Sequence, residues 1–353
     1  MIDFFKFDTD EERRALLVRA RKVALSAIQQ YDLEWERIQF IQLSGTITYK
    51  IETNTTGNYL LRIHSDRLSR EEILSELLLL QVLNELKGLY VPEGIASCDG
   101  NYVLDIETEI GYRRPYVTMM RWIEGEHATG DFTDSCAYNI GVLIGRLHAA
   151  ARNFVSPSDF VRPIWGVESF KRDMAKLECY YERFLSEEGW ELYRAGAKKV
   201  VSQLATMHPS EHNYGLIHAD LHTGNMVFKE NQPYPIDFGR CGYGYYLYDM
   251  AGTLLELWPK HRWMLIQGYE SVRKLESDYT QDLECFFIMF MIENYSHHAS
   301  NPREIASLIE EQQYALAYLR EYLNGRSFLF KVVEPVSTNS NRNTPIESDE
   351  NEK

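Results

Sequence analysis

Two carboxylates and a carboxamide, Asp220, Asn225 and Asp237, fall within eighteen positions, each just beyond a short apolar run. That set suits metal-assisted phosphoryl transfer. Asp220 would accept the proton of an attacking hydroxyl, while Asn225 and Asp237 would hold a magnesium ion bridging nucleotide phosphates. The local pattern can build the geometry. Tyr214 to Ile217, Met226 to Phe228 and Tyr234 to Ile236 read as short strands, with Asp220 to Asn225 as a loop and Asp237 closing the third strand. A single Asp or Asn in a loop more often makes a turn or a cap. The ordered set His-x-Asp-x-x-x-x-Asn, then Ile-Asp-Phe-Gly about a dozen residues later, is far harder to reach by accident.

The segments Gly215 to Asn225 and Pro235 to Gly239 resemble the aminoglycoside phosphotransferase and choline-kinase-like superfamily of small-molecule kinases. The resemblance covers roughly positions 36 to 326. It implies an α+β, two-lobed protein-kinase-like fold, with a small antiparallel-sheet N-lobe and a mostly helical C-lobe. It also implies ATP (or GTP) as donor, magnesium, and a hydroxyl-bearing acceptor.

By the same resemblance, further residues would bind the nucleotide. Arg62, in Asn58-Tyr59-Leu60-Leu61-Arg62-Ile63-His64, stands where the family has its third-strand lysine. Its planar fork can contact phosphate oxygens, but with a different reach. Glu76, with Leu83 seven positions on, matches the acidic partner on the next helix; Glu71, Glu72 and Glu85 are competitors. Ser44 and Gly45 form a thin phosphate-covering turn, which an unliganded hairpin would also explain. Met120 would lie behind the adenine, and the Arg121 carbonyl and Ile123 N–H would bond its edge. Asp249, in Tyr248-Asp249-Met250-Ala251, fits a carboxylate that tethers the catalytic loop. His218 is read as orienting that loop, and His222 is typical of the small-molecule branch. His297 and His298 end a helix without a metal-ligand partner, so a helix-end or surface role is expected.

The elements that must position these groups are legible as patterns. Positions 10 to 30 read as an amphipathic helix carrying Leu16, Leu17, Ala20, Val23, Ala24, Ala27 and Ile28 at helical spacing. Strands are expected over Ile38–Leu43, Thr46–Glu52, Tyr59–Ile63, Tyr102–Ile106 and Tyr116–Met120. A helix over Ser69–Leu86 would end at Lys87-Gly88. After Gly125 helices dominate: Ser135–Ala151, Val167–Leu185, Trp190–Met207, Tyr246–Trp258, Lys260–Leu275, Tyr279–His297 and Pro302–Leu323. The division expected is an N-terminal helical extension at 1–35, a nucleotide-binding N-lobe at 36–124, a C-lobe at 125–326 and a disordered tail at 327–353.

Composition sets outer bounds. With 353 residues, 44% hydrophobic and 25% charged, the chain can build a substantial core. No apolar run approaches the ~18 residues of a membrane span. The N-terminus has no basic region or cleavage site of a signal peptide. Five scattered cysteines without a C-x-x-C pair fit reduced thiols, so a soluble cytoplasmic protein is expected. The net charge of −15 disfavours nucleic acid and suits a cationic acceptor, although acidity alone is common in soluble proteins.

Three functions fit these residues. The leading one is transfer of a γ-phosphoryl group to a small-molecule hydroxyl. The second is an atypical bacterial protein serine/threonine kinase. Against it stand His222, where such kinases carry Lys, and the eleven residues between Asp237 and Asp249, too few for a regulated activation loop. The third is a non-catalytic nucleotide-binding module, which Arg62 and the thin glycine turn would suit. Glu256, Glu270 and Glu293 are acidic candidates for the acceptor side, read at this stage as surface groups. Acceptor identity and oligomeric state stay open.

Overall fold

Thr9 starts the first helix, α1 (Asp10–Ile28). Its hydroxyl accepts from the Glu12 N–H, and the Glu12 carboxylate accepts from the Thr9 N–H at 3.0 Å. In the computed structural model, which describes residues 1–128 and 132–336, this helix is part of the N-lobe. The sheet follows as β1 (Trp35–Leu43), β2 (Thr46–Thr53) and β3 (Tyr59–His64). Then come α2 (Arg70–Asn84), β4 (Gly94–Ile95), β5 (Leu104–Asp105) and β6 (Tyr116–Arg121). The six strands pair antiparallel in the order β1-β2-β3-β6-β4, with β5 also on β6. Strand alternation divides the labour. Ile47, Tyr49, Ile51, Leu61, Ile63, Val117 and Met119 point to one face and share a core with Leu16, Ala20, Val23 and Ala27 of α1. Thr48, Leu60, Arg62 and Met120 point to the other face, toward the cleft. Burying each large side chain of this core contributes about 1.5–3 kcal/mol relative to exposure.

The C-lobe is assembled from α3 (Asp134–Arg152), α4 (Val167–Glu178) and α5 (Glu187–Leu204). Four short strands follow: β7 (Tyr214–Ile217), β8 (Met226–Lys229), β9 (Gln232–Pro235) and β10 (Gly242–Tyr245). The lobe closes with α6 (Tyr246–Leu254), α7 (Pro259–Glu270), α8 (Tyr279–His298) and α9 (Ile305–Leu323). The β8–β9 hairpin turns through Glu230 and Asn231, both left-handed at φ 49° and 63°. β10 pairs with β7, an interaction the sequence pattern did not signal. Helix α8 is buried nearly all round, with Phe286, Phe287, Ile288, Met289 and Ile292 at most 1% exposed, so the other helices pack about it.

Several expectations change; the helices expected over Tyr246–Trp258 and Lys260–Leu275 end at Leu254 and Glu270. The strand expected over Tyr102–Ile106 shrinks to Leu104–Asp105. The helix expected over Val167–Leu185 stops at Glu178. Residues 327–336, expected in the tail, pack: Phe328 and Leu329 are buried, and the Glu284 carboxylate accepts from both their N–H groups at 2.7 and 3.0 Å. Two apolar side chains with their amides satisfied outweigh the polar composition that follows them. The rest of the expected tail, 337–353, lies outside the described residues. Among the described residues no helix is long and apolar enough to cross a membrane.

Helices α3 and α7 approach so closely that only glycine fits at two points. A Cβ on Gly141 would stand 1.9 Å from the Leu265 carbonyl oxygen, and one on Gly268 would stand 2.0 Å from that of Tyr138. Neither obstacle is a flexible side-chain end, so the helices themselves must separate. Gly141→Ala is therefore expected to destabilise the fold by about 1–3 kcal/mol or more. Denaturant unfolding checks this, and an unchanged midpoint would contradict the close-packing argument.

Candidate active site

The loop after β7 is held from below by one buried carboxylate. Asp249, 1% exposed on α6, accepts the His218 N–H at 2.7 Å and the Ala219 N–H at 2.6 Å. Ala219 sits at φ 62°, a left-handed conformation that an alanine adopts only when its surroundings hold it there. His148 on α3 completes the anchor, with Nε2 3.2 Å from Asp249 and Nδ1 3.1 Å from the Tyr269 hydroxyl. Burial lowers the His148 pKa, so the ring is neutral, its Nε2–H donating to Asp249 and its Nδ1 accepting from Tyr269. The loop is fixed twice more. The Thr253 hydroxyl donates to the Leu221 carbonyl at 2.5 Å, and the Glu256 carboxylate accepts the Thr223 N–H at 2.7 Å.

On this platform Asp220 and Asn225 meet. The Asn225 amide donates to the Asp220 carbonyl at 2.9 Å and to its carboxylate at 3.1 Å. His218 Nε2 donates to the Ile236 carbonyl at 3.0 Å, tying the loop to the end of β9 next to Asp237. Asp237 itself is left-handed, at φ 58° and ψ 67°, and its carboxylate accepts from the Gly239 N–H at 3.3 Å.

From the N-lobe, Arg62 on β3 reaches the same place. It is buried with Glu76 of α2 in an ion pair of 2.5 Å and lies 3.7 Å from the Asp237 carboxylate. Burial opposes the Arg62 charge, but Glu76 and then Asp237 outweigh it and hold its pKa above the ordinary value. The competitors are placed elsewhere. Glu72 caps α2 through the Ser69 N–H, while Glu71 and Glu85 are exposed.

A cavity of about 150 Å³ lies between the lobes. Arg62, Glu76, Met120, Arg121, Ile123, Asn225 and Asp237, all sequence candidates, line it. Ser44 and Gly45 do not: the Ser44 N–H closes the β1–β2 turn on Thr46, and a Cβ built on Gly45 meets open space. Asp220 also lies outside the lining, joined to it through Asn225. Among the described residues no group of three or more His, Cys, Asp or Glu could hold a metal alone. Asn225 and Asp237 offer two hard oxygen donors on the cavity wall, a set suited to Mg²⁺ when phosphate oxygens and water complete the shell.

Sequence reasoning missed four groups. Arg162, buried before α4, spans the lobes: it donates to the carbonyls of Glu72 on α2 and of Phe238, Gly239 and Cys241 after Asp237. It belongs to no motif and left no signal. Arg240 donates to Asp220 at 3.4 Å, and its position directly after Asp-Phe-Gly could have drawn notice. Glu256 and Glu293, read as surface groups, are respectively a loop anchor and a buried side chain at 3% exposure.

The description of the matching family model is "Phosphotransferase enzyme family", and the match spans residues 41–281, more than half of the chain. Amicoumacin kinase of Bacillus subtilis (strain 168) is 23% identical over 240 residues, 67% of this chain and 68% of that protein. A solved amicoumacin kinase in complex with AMP-PNP, Ca²⁺ and Ami superimposes with TM-score 0.74 at 19% identity, covering 92% of this chain and 98% of the other. A microcompartment-associated aminopropanol kinase superimposes with TM-score 0.76 at 21% identity, covering 88% and 99%.

Glu76→Ala would leave the Arg62 guanidinium buried with its nearest partner gone, an expected loss of about 3–5 kcal/mol. Glu71→Ala, on the exposed face of the same helix, should stay within about 0.5 kcal/mol. Equal effects in chemical denaturation would show that the ion pair is not what fixes α2.

Proposed function

The chain belongs to the phosphotransferase enzyme family, and from that premise we propose that it transfers the γ-phosphoryl group of ATP (or GTP) to a hydroxyl of a small molecule. One observation carries the reading: Asn225 and Asp237 line the same interlobe cavity as the Arg62–Glu76 pair, and Asn225 is bonded to Asp220. Met120, with the backbone of Arg121 and Ile123, would seat the base. Arg62, held by Glu76, would contact phosphate oxygens. Magnesium, bound by Asn225 and Asp237, would neutralise charge on the phosphate oxygens.

The step forms a bond between the acceptor oxygen and γ-phosphorus, breaks the γ-phosphorus bond to the leaving diphosphate oxygen, and passes the acceptor proton to Asp220. Catalysis is then mostly positioning and charge compensation. Asn225 fixes the Asp220 carboxylate, and Asp249 fixes the backbone under it. The acceptor would enter from the helical lobe. A cavity of about 420 Å³, walled by Trp258, Met291, Glu311, Tyr314 and Tyr318, reaches Glu256, which bonds the loop at Thr223. The chain's net charge of −15 favours a cationic acceptor, in keeping with the aminopropanol kinase among its structural neighbours. A cytoplasmic location is part of the proposal, supported by five scattered cysteines without a C-x-x-C pair. A protein acceptor fits less well, because β10 and α6 follow the turn after Asp237 at once.

Asp220→Asn is expected to lower kcat by about 10²-fold or more in an ATP-consumption assay over hydroxyl compounds. Its melting temperature should still rise with MgATP, as the wild type's should, and less with ATP plus chelator. Near-normal turnover in that variant would remove Asp220 from the mechanism. No MgATP shift in either protein would remove the kinase reading.

A further inference from the structure

Arg162 lies between α3 and α4, outside every motif, and it is buried. Among the described residues its hydrogen-bond partners are all main-chain carbonyls. Its Nε donates to Cys241 at 2.6 Å and Nη1 to Glu72 of α2 at 3.0 Å, while Nη2 donates to Gly239 at 2.7 Å and to Phe238 at 3.4 Å. A buried guanidinium that leans on peptide dipoles alone is costly to keep. A neutral side chain could fill the space, but none has enough donors to gather four carbonyls from two lobes.

The chain on either side of Arg162 is pinned as well. The Val161 N–H donates to Ser75 Oγ of α2 at 2.9 Å. The Tyr243 N–H donates to the Pro163 carbonyl at 2.8 Å, and the Trp165 N–H donates to the Tyr243 carbonyl at 2.7 Å. The Trp165 indole N–H donates to the Arg240 carbonyl at 2.9 Å. Pro163 lies so close to β10 that a Cβ on Gly242 would stand 2.3 Å from its carbonyl oxygen. Residues 161–165 therefore form a strap with α2 on one side and the turn after Asp237 on the other.

We infer that Arg162 is a positioning residue for the metal ion: it holds the peptides after Asp237 so that the Asp237 carboxylate stays on the cavity wall it shares with Asn225. The inference rests on the phosphotransfer reading and deepens it. Asp237 is left-handed, at φ 58° and ψ 67°, a state that an aspartate keeps only when its surroundings hold it there. Its own carboxylate gives that turn one long bond, from the Gly239 N–H at 3.3 Å. Arg162 supplies the firmer hold and braces it against the first turn of α2, the helix that carries Glu76. Phosphoryl transfer needs the cation–Glu pair and the metal-binding aspartate in place together. Here one guanidinium spans the two, so they assemble as a unit. A lysine would bring one compact charge and could not span them.

Calorimetry of the full chain with AMP-PNP, at a series of free Mg²⁺ concentrations, tests this. Arg162→Lys keeps the charge and loses the fork. It is expected to raise the Mg²⁺ needed for half of the affinity gain by at least about tenfold, and to change the metal-free affinity by less than about twofold. In the protein without nucleotide, the Gly239 and Cys241 amides of that variant should exchange hydrogen faster, while those of α8 stay as in wild type. Arg162→Ala should regain the wild-type Mg²⁺ requirement in millimolar methylguanidinium and not in methylammonium. If Arg162→Lys does not fold, Ser75→Ala releases the strap from α2 alone and should show the same shift, only smaller. An unchanged Mg²⁺ requirement, an equal loss of metal-free binding, or rescue by both cations overturns the assignment. Absence of Mg²⁺-dependent AMP-PNP binding in wild type overturns both proposals. Turnover separates them. A raised requirement in the variant of a protein that phosphorylates no hydroxyl compound would sink phosphotransfer and leave Arg162 in this role. Wild-type turnover with an unchanged requirement in Arg162→Lys would do the reverse.

Discussion

A carboxylate removed from water must be given donors, and Asp249 takes them from the backbone of the catalytic loop. Its two oxygens hold the amides of His218 and Ala219, and His148 donates to it from α3. The left-handed turn at Ala219 costs on the order of 1–3 kcal/mol and persists because those bonds exist only in that conformation. The direction of Asp220, one residue on, follows. So does the meeting of Asp220 with Asn225, because the loop between them is fixed at its start by Asp249 and at its middle by Thr253 and Glu256. One buried acid on α6 therefore sets the spacing that the sequence motif only implies.

The second constraint crosses the cleft. Arg62 belongs to the sheet, Glu76 to α2 and Asp237 to the C-lobe, and the three form a charge chain with Arg62 in the middle. Arg162 works on the same junction through backbone, joining the Glu72 carbonyl of α2 to the turn after Asp237. A guanidinium is suited to both tasks, since its several fixed donors can satisfy several oxygens at once. A lysine at 62 would carry one compact charge and could not share it between Glu76 and Asp237 in the same way. The departure from the family's lysine thus has a structural consequence: α2 and Asp237 are both tied to the position of β3.

Much of this was legible because it is local. The motif residues Asp220, Asn225 and Asp237 lie just beyond apolar runs that are short and clear, and Glu76 is picked out from Glu71, Glu72 and Glu85 by its spacing to Leu83, which matches the resembled family. The sheet face that carries Arg62 and Met120 follows from strand alternation alone. What was not legible depends on contacts between distant segments. Arg162 acts on carbonyls some 76 to 90 positions away, and backbone acceptors leave no mark in a sequence. Glu293 looked like a surface acid because a helix that is buried all round has no polar face by which to judge it. Ser44 and Gly45 show the opposite limit: a turn sequence is compatible with a phosphate loop but does not fix what lines the cavity, and neither residue is part of its wall.

The arrangement also bears on where selectivity can reside. The Arg62–Glu76 pair is already formed and Asp237 already in its left-handed state, while only eleven residues separate Asp237 from Asp249. Those eleven are committed to the turn holding Arg240, to β10 and to the start of α6, so no free segment remains there that could swing in and out of the cleft. Control by a mobile loop therefore has no element to act on at this position. On the phosphotransfer reading, discrimination falls to the acceptor side, where the same short path sets Arg240 beside Asp220. The brevity that removes a regulatory loop is thus also what brings Arg240 to within 3.4 Å of the Asp220 carboxylate.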